Sequence, residues 1–230
     1  DRSPSRGLGD VYKRQGMGGA VSTTLITGVL SVRKGLAKPI GSITQMASIQ
    51  MQDGKEHLIK DIVPIADLKD VIFGGWDIFE DNAYDAAMYA EVLKEKDLNK
   101  VKDELIEIKP MPAVFDHNFA KRLNGTYIKK ADTRWNLVEL LRQDIRKFKE
   151  ENGCDRLVVL WAASTEIYIP LAEEHKTLES LEKAMKDNRT DIIAPSMCYA
   201  YAALSEGAPF VMGAPNLCVD IPLSLIHISE

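Results

Sequence analysis

An α/β fold with a mostly parallel, doubly wound sheet is predicted by two observations. Short apolar runs alternate with amphipathic helical stretches along the chain, and the small and polar residues fall just after those runs. The first helix is read from Ser22 through Leu30, with hydroxyl residues at its start and Val32-Arg33-Lys34-Gly35 as its stop: cations in the last turn, then glycine. Ile40 to Met51 reads as extended, and Asp53-Gly54 as a turn. Asp70-Val71-Ile72-Phe73, running into Gly74-Gly75, is expected as a strand buried on both faces. Asp81 to Glu95 reads as a helix with an apolar stripe through Ala83, Ala86, Ala87, Ala90 and Leu93, capped near Asp81. Leu98 to Ile108 reads as a further helix, stopped by Pro110 and Pro112. Asn124-Gly125 marks a turn. Trp135 to Glu151 is the clearest helix, with Leu137, Leu140, Leu141, Ile145 and Phe148 on one stripe and Gly153 beyond its end. Leu157-Val158-Val159-Leu160-Trp161 is the clearest strand. Thr177 to Lys186 is amphipathic, Asp191 to Ala194 reads as a short strand, and Pro195 opens a helix reaching Ser205. Pro209 to Gly213 is the last strand.

The 230 residues suffice for one sizeable domain, which at that length buries roughly 70% of its unfolded surface without staples. A net charge of −5 argues against a nucleic-acid partner, which rewards a basic face. The three cysteines, Cys154, Cys198 and Cys218, are widely spaced and odd in number; they read as reduced thiols in a cytoplasmic protein. No apolar run reaches the ~18 residues of a membrane span, so no membrane partner is expected. No histidine has a second ligand at metal spacing, so no metal is expected, and His117 and His175 are read as surface residues.

Gly16-Met17-Gly18-Gly19 is the principal candidate site. Glycines let the backbone turn tightly and approach a ligand, and a following helix start offers free N–H groups and a positive dipole end to a pyrophosphate. The dinucleotide pattern G-x-G-x-x-G is incomplete, since Val21 stands at the third glycine, and an ordinary glycine turn is an equal reading of this stretch. The acid expected ~20 residues further on is missing as well. Asp77, after Gly74-Gly75-Trp76, is the acid left to accept from a ribose, or else a helix cap. Ser164, Thr165 and Ser196 follow strands, where ligands bind in such sheets, although serines at helix starts also serve as caps.

The two ends have a different character. Asp10-Val11-Tyr12-Lys13-Arg14-Gln15 and Leu223-Ser224-Leu225-Ile226-His227-Ile228 are encoded by GAT GTG TAT AAG AGA CAG and by its reverse complement, CTG TCT CTT ATA CAC ATC. They resemble the two readings of one sequencing-library adapter. Asp1–Gln15 and Leu223–Glu230 are therefore expected to be foreign to the fold, and the remainder to be an internal piece that lacks its first strand.

Four further strings carry a resemblance: Val71-Ile72-Phe73-Gly74-Gly75-Trp76-Asp77-Ile78, Leu157 to Trp161 with Ser164-Thr165-Glu166, Ala194-Pro195-Ser196, and Ala208 to Asn216. In this order, and with the glycine turn, they resemble the inositol-1-phosphate synthase family, its shorter prokaryotic form above all. The resemblance implies a Rossmann-like NAD-binding domain over residues 16–205 and, from 206 to 222, the start of an α/β catalytic and tetramerisation domain. It implies an NAD-dependent isomerase of inositol biosynthesis that converts glucose 6-phosphate to myo-inositol 1-phosphate by oxidation, enolisation, aldol closure and reduction, in a homotetramer. By position it assigns Gly16, Gly18, Gly19, Asp77, Ser164, Thr165 and Ser196 to the cofactor and Asn216 to the substrate side. Ala20, Val21 and Met212 stand where family members carry asparagine. The family's catalytic lysines would follow residue 222, so the chain itself is expected to be inactive. The readings set against this one are an NAD(P)-dependent dehydrogenase with net redox turnover and a non-catalytic nucleotide-binding module.

Overall fold

A computed structural model describes residues 16–225; the expected adapter-derived segments lie outside this range except for residues 223–225. In chain order the elements are α1 (Ala20–Arg33), α2 (Ile43–Met46), β1 (Ser48–Gln50), β2 (Glu56–Leu58), α3 (Ile59–Ile62), β3 (Trp76–Asp77), α4 (Ala83–Ala90), α5 (Glu95–Leu98), α6 (Lys102–Glu107), β4 (Met111–Pro112), α7 (Arg134–Glu151), β5 (Val159–Trp161), α8 (Leu178–Lys186), α9 (Pro195–Ser205), β6 (Phe210–Met212) and α10 (Pro222–Leu225).

The α/β class holds, but among the described residues the strands form pairs instead of one continuous sheet. β3 runs parallel to β4, with Trp76 opposite Met111; β5 runs parallel to β6, with Leu160 opposite Val211; β1 and β2 form a separate antiparallel pair. The β3–β4 ladder stays short because Pro110 and Pro112 carry no N–H, leaving Met111 to donate to the Gly75 carbonyl at 2.8 Å. The strand expected at Asp70–Phe73 is accordingly absent. Leu68–Asp70 is a 3₁₀ turn, and pairing starts only at Trp76.

The largest core is built by α7, α8 and α9 against the β5–β6 pair, with Leu141, Met185, Ile193 and Cys198 fully buried. Thr133 caps α7 by accepting from the Asn136 N–H at 3.1 Å, and Gly153 ends the helix region at φ +60°. Residues 206–222, expected to open a second domain, pack into this same core through β6, Cys218 and Ile221. A second core joins α1 and α4 to Leu98, Val101 and Leu105. A third, small cluster of Ile78, Ala113 and Leu123 shares Trp76 with the first.

Three further expectations change. The Asp191–Ala194 segment is a turn, not a strand: the Ile193 N–H donates to Arg189 at 3.0 Å, and its apolar side chains mark burial alone. α4 stops at Ala90 because Glu91 takes a left-handed φ of 52°, and its cap is Asn82, not Asp81. The helix expected over Leu98–Ile108 is divided into α5, a 3₁₀ turn and α6.

Candidate dinucleotide site

The glycine turn is fixed by four hydrogen bonds, two within the turn and its helix and two to the end of β3. Met17 N–H donates to the Trp76 carbonyl at 3.0 Å, Gly19 N–H to Gly16 at 3.1 Å, and the Ser22 hydroxyl to Gly16 at 2.7 Å. The Gly18 N–H donates to Asp77 Oδ2 at 2.8 Å. Gly16 has φ +103°, and a Cβ there would stand 2.7 Å from the Trp76 carbonyl oxygen, so only glycine fits. At Gly18 a Cβ would press on Asp77 and on Ala86. Gly19 is the N-cap of α1. No side chain caps that helix and its first turn holds no acid, so its positive end is available to an anion.

Asp77 is 2% exposed, and its two oxygens accept from Gly18 N–H and, at 3.0 Å, from Phe79 N–H. The residue the sequence offers to a ribose thus organises the loop from within.

The post-strand polar residues converge on the far side. Ser164 lines, with Gly16, Ser22, Glu166 and Pro195, a cavity of about 1290 Å³ lying between the 71–75 edge and the 157–160 edge. Thr165 is exposed beside it. Ser196, at the start of α9, and Asn216, after β6, are buried and meet at Glu166. The Ser196 N–H donates to Glu166 Oε1 at 3.0 Å, the Ser196 hydroxyl donates to Oε2, and Asn216 Nδ2 reaches Oε2 at 3.3 Å. The Glu166 N–H donates to Asn216 Oδ1 at 2.9 Å. Burial raises the Glu166 carboxyl to about 7 against the pull of the Ser196 bonds.

Sequence reasoning gave Glu166 no role, since a lone acid after a strand carries no sign of burial. It also missed Tyr199, whose hydroxyl accepts from Val114 N–H at 2.8 Å, and the ion pair of the buried Arg134 with Asp116. His175 is corrected from surface to core. It is fully buried, with Nδ1 accepting from Ala172 N–H at 3.1 Å and Nε2 at 2.9 Å from the Ile192 carbonyl oxygen. His117 is exposed, as expected. Met212 packs against the main core.

Parallel strand pairs, a glycine turn feeding an uncapped helix, and polar strand ends facing one cavity define a dinucleotide-binding α/β protein. A family model of the NAD-binding kind, described as myo-inositol-1-phosphate synthase, matches residues 14–230. Inositol-3-phosphate synthase 1 of Bacteroides thetaiotaomicron is 74% identical over 207 residues, covering 90% of this chain and 48% of the relative. The rice protein of the same name is 34% identical over 219 residues, covering 87% and 43%. The crystal structure of inositol-3-phosphate synthase from Caenorhabditis elegans superposes with a TM-score of 0.81 at 28% identity, over 93% of this chain and 45% of that one. The chain belongs to the myo-inositol-1-phosphate synthase family, and its dinucleotide is NAD. It spans about half the length of the curated relatives it matches.

Proposed function

We propose that the protein is an NAD-dependent inositol-phosphate synthase that cyclises glucose 6-phosphate to myo-inositol 1-phosphate, and that this chain carries its cofactor-binding half. The observation that supports the reading is the uncapped start of α1 facing the same cavity as Ser164 and Glu166. NAD, when bound, accepts a hydride from the sugar and returns it. The amides of the first turn of α1 hold the pyrophosphate, the Gly16–Gly19 turn lets it approach closely, Asp77 keeps that turn in register, and Ser164 and Thr165 orient the nicotinamide end. The apolar cavity walls around Val159, Trp161 and Phe210 exclude water from the ring. Cations that stabilise the enolate and the phosphate belong to the part of the protein that follows, which also assembles the tetramer in the cytoplasm.

Calorimetric titration of this chain with NAD⁺, beside an inositol-phosphate assay of the longer protein, tests the reading. Saturable NAD⁺ binding by the chain, with product made only by the longer protein and without net NADH release, is the expected result. Stoichiometric NADH release by the longer protein would overturn it in favour of a dehydrogenase.

A further inference from the structure

The geometry points to Glu166 as a positioning residue: its carboxyl group ties the start of α9 and the segment after β6 to the strand-end turn that carries Ser164 and Thr165. This rests on the reading of the cavity as the NAD site. Three segments separated by 30 and 50 residues in sequence meet at this one side chain. The Ser196 amide and hydroxyl and the Asn216 amide all point inward at its two oxygens. Ser196, whose residue type suggests a ligand contact, and Asn216, which the resemblance gives to the substrate side, are therefore committed to Glu166.

No cation is paired with this carboxylate among the described residues. Arg134, on α7, acts on it through space but is engaged by Asp116 and, at 3.2 Å, by the Ile193 carbonyl. The other titratable groups facing it are Asp116 before α7, Cys198 on α9 and Cys218 after β6, both thiols pushed up to about 12 by burial. An apolar pair would hold such a junction at lower desolvation cost, so a buried carboxylate is retained here for register. Because Ser164, Glu166 and Pro195 line the cavity, any slip at the junction moves its wall. When Glu166 loses its proton near neutrality, the junction holds a buried charge with no paired cation, and opening that brings water to it becomes easier.

Two measurements on the intact chain test this. The first needs no variant: amide hydrogen exchange at Ser196 without NAD, corrected for intrinsic pH dependence. Protection is expected to be at least about fivefold greater at pH 6 than at pH 8, because opening the junction frees a carboxyl that burial holds protonated. The second is NAD⁺ titration at both pH values. Wild-type affinity should fall with rising pH by a similar factor, Glu166→Gln should lie at the tight limit with no pH dependence, and Glu166→Asp should keep part of the fall. Equal Ser196 protection at the two pH values overturns the assignment, as does an unchanged pH profile in a folded Glu166→Gln. Protection that follows pH in a chain that binds no NAD⁺ at either value upholds the tie and overturns the NAD reading instead.

Discussion

The Gly18 amide donates to the Asp77 carboxylate at 2.8 Å across 59 residues of sequence, so the glycine turn is held open by the end of β3. Replacing Asp77 with alanine leaves the buried Gly18 amide unsatisfied and removes the acceptor for Phe79 N–H. The expected loss is about 1–3 kcal/mol of stability, read by urea unfolding, together with weakened NAD⁺ binding.

Gly16 and Gly28 form an internal contrast. Gly16→Ala meets the Trp76 carbonyl oxygen at a positive φ and should destabilise by about 1–3 kcal/mol. Gly28 lies exposed within α1 with open space around it, so Gly28→Ala should stabilise by roughly 0.5–1 kcal/mol. Thermal unfolding of the two variants should move in opposite directions.

Glu166 gives the stability a pH dependence of defined sign. Burial lifts its carboxyl from 4.5 to about 7, so between these values the folded chain keeps a proton the unfolded chain has lost. Its contribution is therefore complete below about 4.5, declines as pH rises, and levels off above about 7. The decline is on the order of a few kcal/mol. Glu166→Gln should flatten this part of the curve, as measured by denaturant midpoints from pH 4 to pH 8.

The main core is tested at Leu141, fully buried on α7 against α9. Leu141→Ala should cost about 2–5 kcal/mol in chemical denaturation, with the exposed Leu178→Ala nearly neutral.

Much of this was legible from local pattern. The α7 stripe, its Gly153 stop, the proline opening of α9 and the glycine turn each depend on residues within one element, and each stands where periodicity and capping place it. The failures share a different cause. Asp191–Ala194 and Asp70–Phe73 are apolar enough for strands, but burial and pairing are separate properties, and the partner's prolines or a neighbouring turn decide the second. Asp77 and Ser196 were singled out by residue type and place, Asn216 by the resemblance alone. What their side chains face depends on contacts 30 to 59 residues away, which no window of sequence contains.

Trp76 on β3 and Trp161 on β5 meet Tyr199 of α9 edge-on, with ring centroids 5.1 and 5.5 Å away. Two of the three tryptophans in the chain therefore sit one on each parallel strand pair, with a single phenol between them. Near-ultraviolet dichroism and tryptophan emission become an internal gauge of the spacing between the two pairs. A molecule entering the cavity announces itself optically, without any label.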